Sequence, residues 1–116
     1  MRKRTVTYEP WSVVTVPFPF TDSKISKKRP AVVLSTESFE KTHGHVVMAM
    51  ITSAKHSDWP TDVLISDQQA AGLSAPSVVR FKMFTLDARL ILNRVGTLAE
   101  RDRSRVHEEL RSILAP

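Results

Sequence analysis

Two short apolar runs, Ala31-Val32-Val33-Leu34 and Val46-Val47-Met48-Ala49-Met50-Ile51, constrain the fold of this chain more than any other feature. Each is too short and too rich in β-branched residues for a helix, and neither alternates with polar residues. Both therefore read as strands covered on two faces. The 116 residues make one domain, spanning 1–116, with residues 1–10 expected as a flexible N-terminal extension. That length leaves no room for a separate catalytic module, so any active site must share the fold that holds the core. With 41% apolar and 25% charged residues the composition is that of a globular chain, not a disordered one.

The remaining segments fill in a mainly β pattern. Along Val13 to Phe20, positions Val14, Val16, Phe18 and Phe20 share one parity, which is strand spacing. Pro17 and Pro19 cannot donate to a ladder, so this strand must lie at an edge or leave the sheet there. Val63-Leu64-Ile65 reads as a short strand, and Asp67 to Gly72 as about a turn and a half of helix with Asp67 as N-cap. From Ser77 the period is two again: Val79, Phe81 and Met83 point one way, and Val78, Arg80, Lys82 and Phe84 the other. Two cations on one face mark that face as outside the core. Leu90-Ile91-Leu92 and Val95-Gly96 suggest a last strand, and Val106, Leu110, Ile113 and Leu114 form a helical stripe. Thr97-Leu98-Ala99-Glu100 has the form of a capping box to start that helix. Connections this short exclude parallel crossovers. The class is therefore α+β, mainly β: a small antiparallel barrel with a short helix and a C-terminal α-helix.

Charge is unevenly placed. Residues 1–30 hold seven cations (Arg2, Lys3, Arg4, Lys24, Lys27, Lys28, Arg29) against Glu9 and Asp22, a surplus equal to the +5 of the whole chain. A cationic segment beside aromatic rings suits a phosphate-rich partner, because the cations attract the backbone and the rings offer stacking surfaces; a solvated surface loop is the alternative. The chain has no cysteine, which excludes disulfides, thiolate metal sites and cysteine nucleophiles, and fits a cytoplasmic location. Met1-Arg2-Lys3-Arg4 is followed by Thr5-Val6-Thr7-Tyr8-Glu9-Pro10, not by the apolar run of a signal peptide, and no stretch is long enough to span a membrane. His43-Gly44-His45 falls in the spacer between strands and reads as an exposed turn; a lone His-x-His lacks the third ligand of a metal site. Trp59-Pro60 reads as a loop anchor whose ring can also stack on an unpaired base.

Five segments in order resemble the PemK/MazF family of toxin ribonucleases: Val13-Val14-Thr15-Val16-Pro17-Phe18-Pro19-Phe20-Thr21-Asp22; Lys28-Arg29-Pro30-Ala31-Val32-Val33-Leu34-Ser35; Ile51-Thr52-Ser53; Ala71-Gly72-Leu73 with Pro76-Ser77-Val78-Val79-Arg80; and Thr85-Leu86-Asp87 with Val95-Gly96-Thr97-Leu98. The resemblance runs over roughly residues 11 to 114. It implies an SH3-like barrel, a homodimer, and metal-independent, cofactor-free cleavage of single-stranded messenger RNA at short motifs. It also implies a cognate antitoxin as partner, with DNA contact only through that antitoxin; no membrane is expected as a partner, since no apolar stretch is long enough to span one.

Carried over position by position, the resemblance implies catalytic roles for Arg29, before the proline, and for Thr52, at the end of the third strand. The chemistry explains the residue types. If the substrate's own 2′-hydroxyl attacks the adjacent phosphate, the enzyme must position it and stabilise extra charge on the phosphoryl oxygens; a guanidinium supplies a permanent, bidentate charge for this. Phe18, Phe20, Lys27, Lys28, Ser53, Arg80 and Lys82 are the expected RNA-binding residues. Two departures stand out. Trp11-Ser12 occupies the place where the family commonly has Gly-Asp, and Lys82 lies near a position where some members have a carboxylate proposed as general base. A second class is a non-catalytic toxin on the same barrel, such as one resembling the gyrase poison CcdB, or a degenerate homologue that only binds. The CcdB type uses a tryptophan-containing C-terminal tail, whereas this chain ends Ile113-Leu114-Ala115-Pro116.

Overall fold

The computed structural model describes residues 6–18 and 27–115. Within them lie six strands, β1 (Ser12–Phe18), β2 (Lys27–Val33), β3 (His45–Ser53), β4 (Val63–Leu64), β5 (Ser77–Asp87) and β6 (Asn93–Thr97), and two helices, α1 (Glu37–His43) and α2 (Glu100–Ile113). They form one curled antiparallel sheet of order β4-β5-β3-β2-β1-β6. Chain neighbours β1, β2 and β3 pair in sequence, and β6 returns to close against β1. Its contact with β1 ends at Thr15 opposite Asn93, so Pro17 lies beyond it, where its missing N–H costs no ladder bond.

The continuous apolar runs are covered on both faces, as their lack of alternation requires. Val13, Val32, Ala49, Ile51, Val79 and Phe81 pack on one side with Leu98 and Val106, while Val14, Val16, Ala31, Val33, Val46, Met48 and Leu86 pack on the other with Ala88 and Ile91. Tyr8 lies against the second cluster, and its N–H donates to Glu40 Oε1 at 2.9 Å, so residues just before β1 are packed rather than loose.

Several local expectations differ from the structure. The spacer before His45 contains α1, capped by Thr36 Oγ1, which accepts from Phe39 N–H at 3.1 Å, and stopped by Gly44 at φ 69°, whose N–H donates to Glu40 O at 2.7 Å. Glu40 is its one buried residue, so it has no apolar stripe to betray it. Helix α2 begins at Glu100 with Ala99 as N-cap and no side-chain cap, because Thr97 belongs to β6; the capping box is not formed. Leu90-Ile91-Leu92 is not strand: Ala88–Leu90 makes a 3₁₀ turn and the strand starts at Asn93. Residues 67–72 form turns rather than a helix, although Asp67 Oδ1 does accept from Ala70 N–H at 3.0 Å.

That turn lies close against β6. A Cβ at Gly96 would fall 2.4 Å from Ala71 C, and one at Gly72, φ +73°, only 2.0 Å from Val95 O. Both positions therefore require glycine. The turn is tied to α2 by Asp102, whose side chain is fully buried and accepts from Ser66 N–H (3.0 Å), Ser66 Oγ (2.7 Å) and Asp67 N–H (2.9 Å). Burial raises the Asp102 pKa, but these donors and Arg105 outweigh it and hold the carboxyl below the usual carboxylate value.

Candidate RNA-cleavage site

The register of the sheet assembles the site. Val16 pairs with Arg29, Ala31 with Met50, and Met50 with Arg80, so one face reads Val16, Arg29, Met50, Arg80 across four strands. Alternation along each strand adds Phe18, Thr52 and Lys82 to the same face. Its other end is the second core cluster, with Val14, Met48, Phe84 and Leu86. The expectation that the Arg80 and Lys82 face lies outside the core thus holds for one half only. A bulge divides the halves: Ala49 pairs with Met83 and Met50 with Arg80, leaving Phe81 and Lys82 as extra residues on β5. The apolar sheet face opens there into a cleft of about 190 Å³ lined by Phe18, Arg29, Met50, Ile51, Thr52, Arg80 and Lys82.

Five of the residues expected at a site therefore meet: Phe18, Arg29, Thr52, Arg80 and Lys82. Lys27, Lys28 and Ser53 do not line this cleft. Lys27 and Lys28 are exposed on β2, and alternation sends Lys28 to the opposite side of the strand from Arg29. Ser53 Oγ accepts from Lys55 N–H at 3.2 Å, capping the short 3₁₀ turn Ala54–His56. Phe20 lies outside the described residues.

The two cleft arginines have different surroundings. Arg29 is exposed and has no ion-pair partner among the described residues. Arg80 is held by the loop before β4: its Nε and Nη2 donate to Asp62 at 3.1 and 2.8 Å, and Nη2 also meets Asp58 Oδ1 at 2.9 Å and His56 O at 2.7 Å. The Arg80 hydrogen bond lowers the Asp62 pKa, and Asp62 in turn raises that of Arg80. Trp59, partly exposed, sits with its ring centre 5.1 Å from Arg80 Cζ and 5.8 Å from Lys82 Nζ, within cation–π range of both. Sequence reading placed Trp59 in a loop but did not connect Asp58 and Asp62 to Arg80. Eighteen or more positions separate these partners, and no local pattern encodes that contact.

The departure at Trp11-Ser12 falls at the constrained entry to β1. Trp11 is the one non-glycine among the described residues at positive φ, 75°, the conformation glycine adopts without strain. It is fixed at both ends, its N–H donating to Val33 O (2.7 Å) and its C=O accepting from Leu98 N–H (3.0 Å), and its side chain packs on the first core cluster. Ser12 is buried, and its Oγ takes the Arg94 Nε donor at 3.3 Å.

Comparison with known proteins agrees with this geometry. The family model for the PemK-like, MazF-like toxin of type II toxin-antitoxin systems matches residues 9–114. The chain belongs to that family and is a MazF/PemK-type toxin of a toxin-antitoxin system. Similar solved structures include MazF from Deinococcus radiodurans (19% identity, 94% of this chain and 97% of that one, TM-score 0.73). Toxin MazF-mt6 of Mycobacterium tuberculosis is 20% identical over 87% of this chain and 93% of its own, with TM-score 0.69. A mycobacterial endoribonuclease in complex with its cognate antitoxin is 13% identical over 90% of both chains, TM-score 0.69. No curated protein matches the chain in sequence. Among the described residues no helix is long and apolar enough to cross a membrane.

Proposed function

We propose that this toxin is an endoribonuclease that cuts single-stranded messenger RNA at short motifs without a metal ion. The observation that carries the reading is the meeting of Arg29, Thr52, Arg80 and Lys82 in one cleft, with Phe18 at its margin. Three cations there suit a polyanion, and Thr52 lines the same cleft and brings a hydroxyl to it.

In the reaction the substrate 2′-hydroxyl loses its proton and its oxygen bonds to the adjacent phosphorus, while the bond from phosphorus to the 5′-oxygen breaks and that oxygen takes up a proton. The products are a 2′,3′-cyclic phosphate and a 5′-hydroxyl. Arg29, with no carboxylate paired to it among the described residues, offers its full charge to the phosphoryl oxygens as negative charge accumulates. Thr52 Oγ1 hydrogen-bonds a phosphoryl oxygen or the attacking hydroxyl and fixes the in-line approach. Arg80 and Lys82 bind flanking phosphates, and Phe18 offers an aromatic face to a base. Lys82 lines the cleft near the position of the proposed carboxylate base of other members. Asp62 lies close by but is engaged by Arg80 through both oxygens, which lowers its basicity.

The homodimer, the antitoxin partner and the cytoplasmic location belong to the same reading. The antitoxin-bound relative supports the second of these. An acidic antitoxin segment over the cationic cleft would block RNA and be drawn to it electrostatically. DNA would be met only through the antitoxin.

The test is to incubate purified protein with a long single-stranded RNA in EDTA and map the ends, with Arg29→Ala alongside. Discrete cuts with cyclic-phosphate ends are expected. They should weaken by about one to two decades in the variant, because a charge-assisted contact contributes roughly 1.5 to 3 kcal/mol. Intact RNA with folded wild type would sink the catalytic reading and favour a binding-only toxin.

A further inference from the structure

Arg80 is oversubscribed. Its Nη2 carries two hydrogens but meets three acceptors, Asp62 Oδ2, Asp58 Oδ1 and His56 O, while Nη1 has no hydrogen-bond partner among the described residues. The two carboxylates are not equivalent. The Asp62 side chain is 2% exposed, grips Arg80 through both oxygens, and also accepts from Ser57 Oγ (3.2 Å) and Trp59 N–H (3.3 Å). Asp58 is 78% exposed and reaches Arg80 through one oxygen.

We infer that Asp58 is a displaceable counter-ion: it occupies Arg80 in the free protein and yields its place to an RNA phosphate, while Asp62 remains as the positioning residue that holds the guanidinium at the cleft. The inference rests on the RNA reading of this cleft. An exposed carboxylate on a shared N–H is weakly held against water and salt, whereas a bidentate, buried partner fixes orientation. A phosphodiester carries one negative charge, as a carboxylate does, so the exchange leaves the charge beside Arg80 unchanged. Arg29 and Lys82, in the same cleft, attract the incoming phosphates and have no carboxylate pair among the described residues, which tips the exchange toward RNA.

The test is a double-mutant cycle read by fluorescence anisotropy of a 2′-O-methyl RNA oligonucleotide, which binds but has no free 2′-hydroxyl with which to cut itself. Asp58→Asn is introduced into wild type and into a background carrying Arg80→Gln with Asp62→Asn, which leaves no buried carboxylate without its cation. Thermal melts confirm folding. In wild type, Asp58→Asn should tighten binding by about two- to fivefold, the range of a single exposed ion pair. In the background lacking Arg80 the gain should vanish. Asp62→Asn should weaken binding and Asp62→Glu partly restore it. An equal gain in both backgrounds would show only a general charge effect and overturn the inference, as would no gain in wild type or no binding by wild type at low salt. A coupled gain without cleavage of unmodified RNA would keep the inference and remove the nuclease reading; cleavage with an uncoupled gain would do the reverse.

Discussion

Asp102 and Asp62 both have almost fully buried carboxylates with lowered pKa values, yet they serve different purposes. Asp102 is surrounded by donors of the fold itself, two backbone N–H groups and the Ser66 hydroxyl, and joins α2 to the turn after β4. Asp62 takes two donors from its own loop, but both its oxygens also bind Arg80, a cation that lines an open cleft. The difference teaches how to separate scaffold from site here. A buried charge satisfied by backbone is committed to folding, whereas one satisfied by a cleft-lining cation is committed to presenting that cation.

The largest effect that can break this comparison is Asp102→Ala. It leaves two part-buried N–H groups without their acceptor; at the lower half of about 1 to 3 kcal/mol each, a loss of roughly 2 to 4 kcal/mol is expected in chemical denaturation. RNA cutting at low temperature by the fraction still folded should persist. A variant that keeps its stability would place Asp102 with Asp62 rather than apart from it.

Acid sharpens the same contrast. The pKa of Asp102 is lowered from 3.8, so its contribution is present above about pH 4 and is lost as pH falls through the folded-state value. Melting temperature should therefore drop steeply below about pH 4 in wild type and less steeply in Asp102→Asn, which has no proton to take up there. Parallel curves for the two proteins would remove Asp102 from the acid response.

The smallest effect concerns Trp11. Truncation to Ala loses packing on the first core cluster while keeping a Cβ at φ 75°; truncation to Gly loses the same packing but relieves the backbone. The Gly variant should be the more stable of the two by about 1 kcal/mol, the reverse of the order at ordinary positions. Differential scanning calorimetry of the pair decides it.

How much of this was legible in the sequence depended on the range of the signal. Continuous apolar runs marked the strands covered on both faces, and Pro17 marked where β1 outruns β6, because both signals are local. Helix α1 was not legible, since a short helix over one buried glutamate shows no stripe. The apparent capping box failed because Thr97 is claimed by the sheet. For the cleft, Arg29 and Thr52 came from family resemblance, and their meeting with Phe18, Arg80 and Lys82 follows from strand register and the β5 bulge. The Asp62 clamp could not be read, because it joins a loop to a strand across the fold.

The measurement that tests the central claim most directly replaces one 2′-hydroxyl by hydrogen at a mapped cut site and follows cleavage in EDTA. If the cleft supplies charge and position while the RNA supplies its own nucleophile, cutting at that linkage stops and binding of the strand is retained. Continued cutting at the deoxy position would contradict the account.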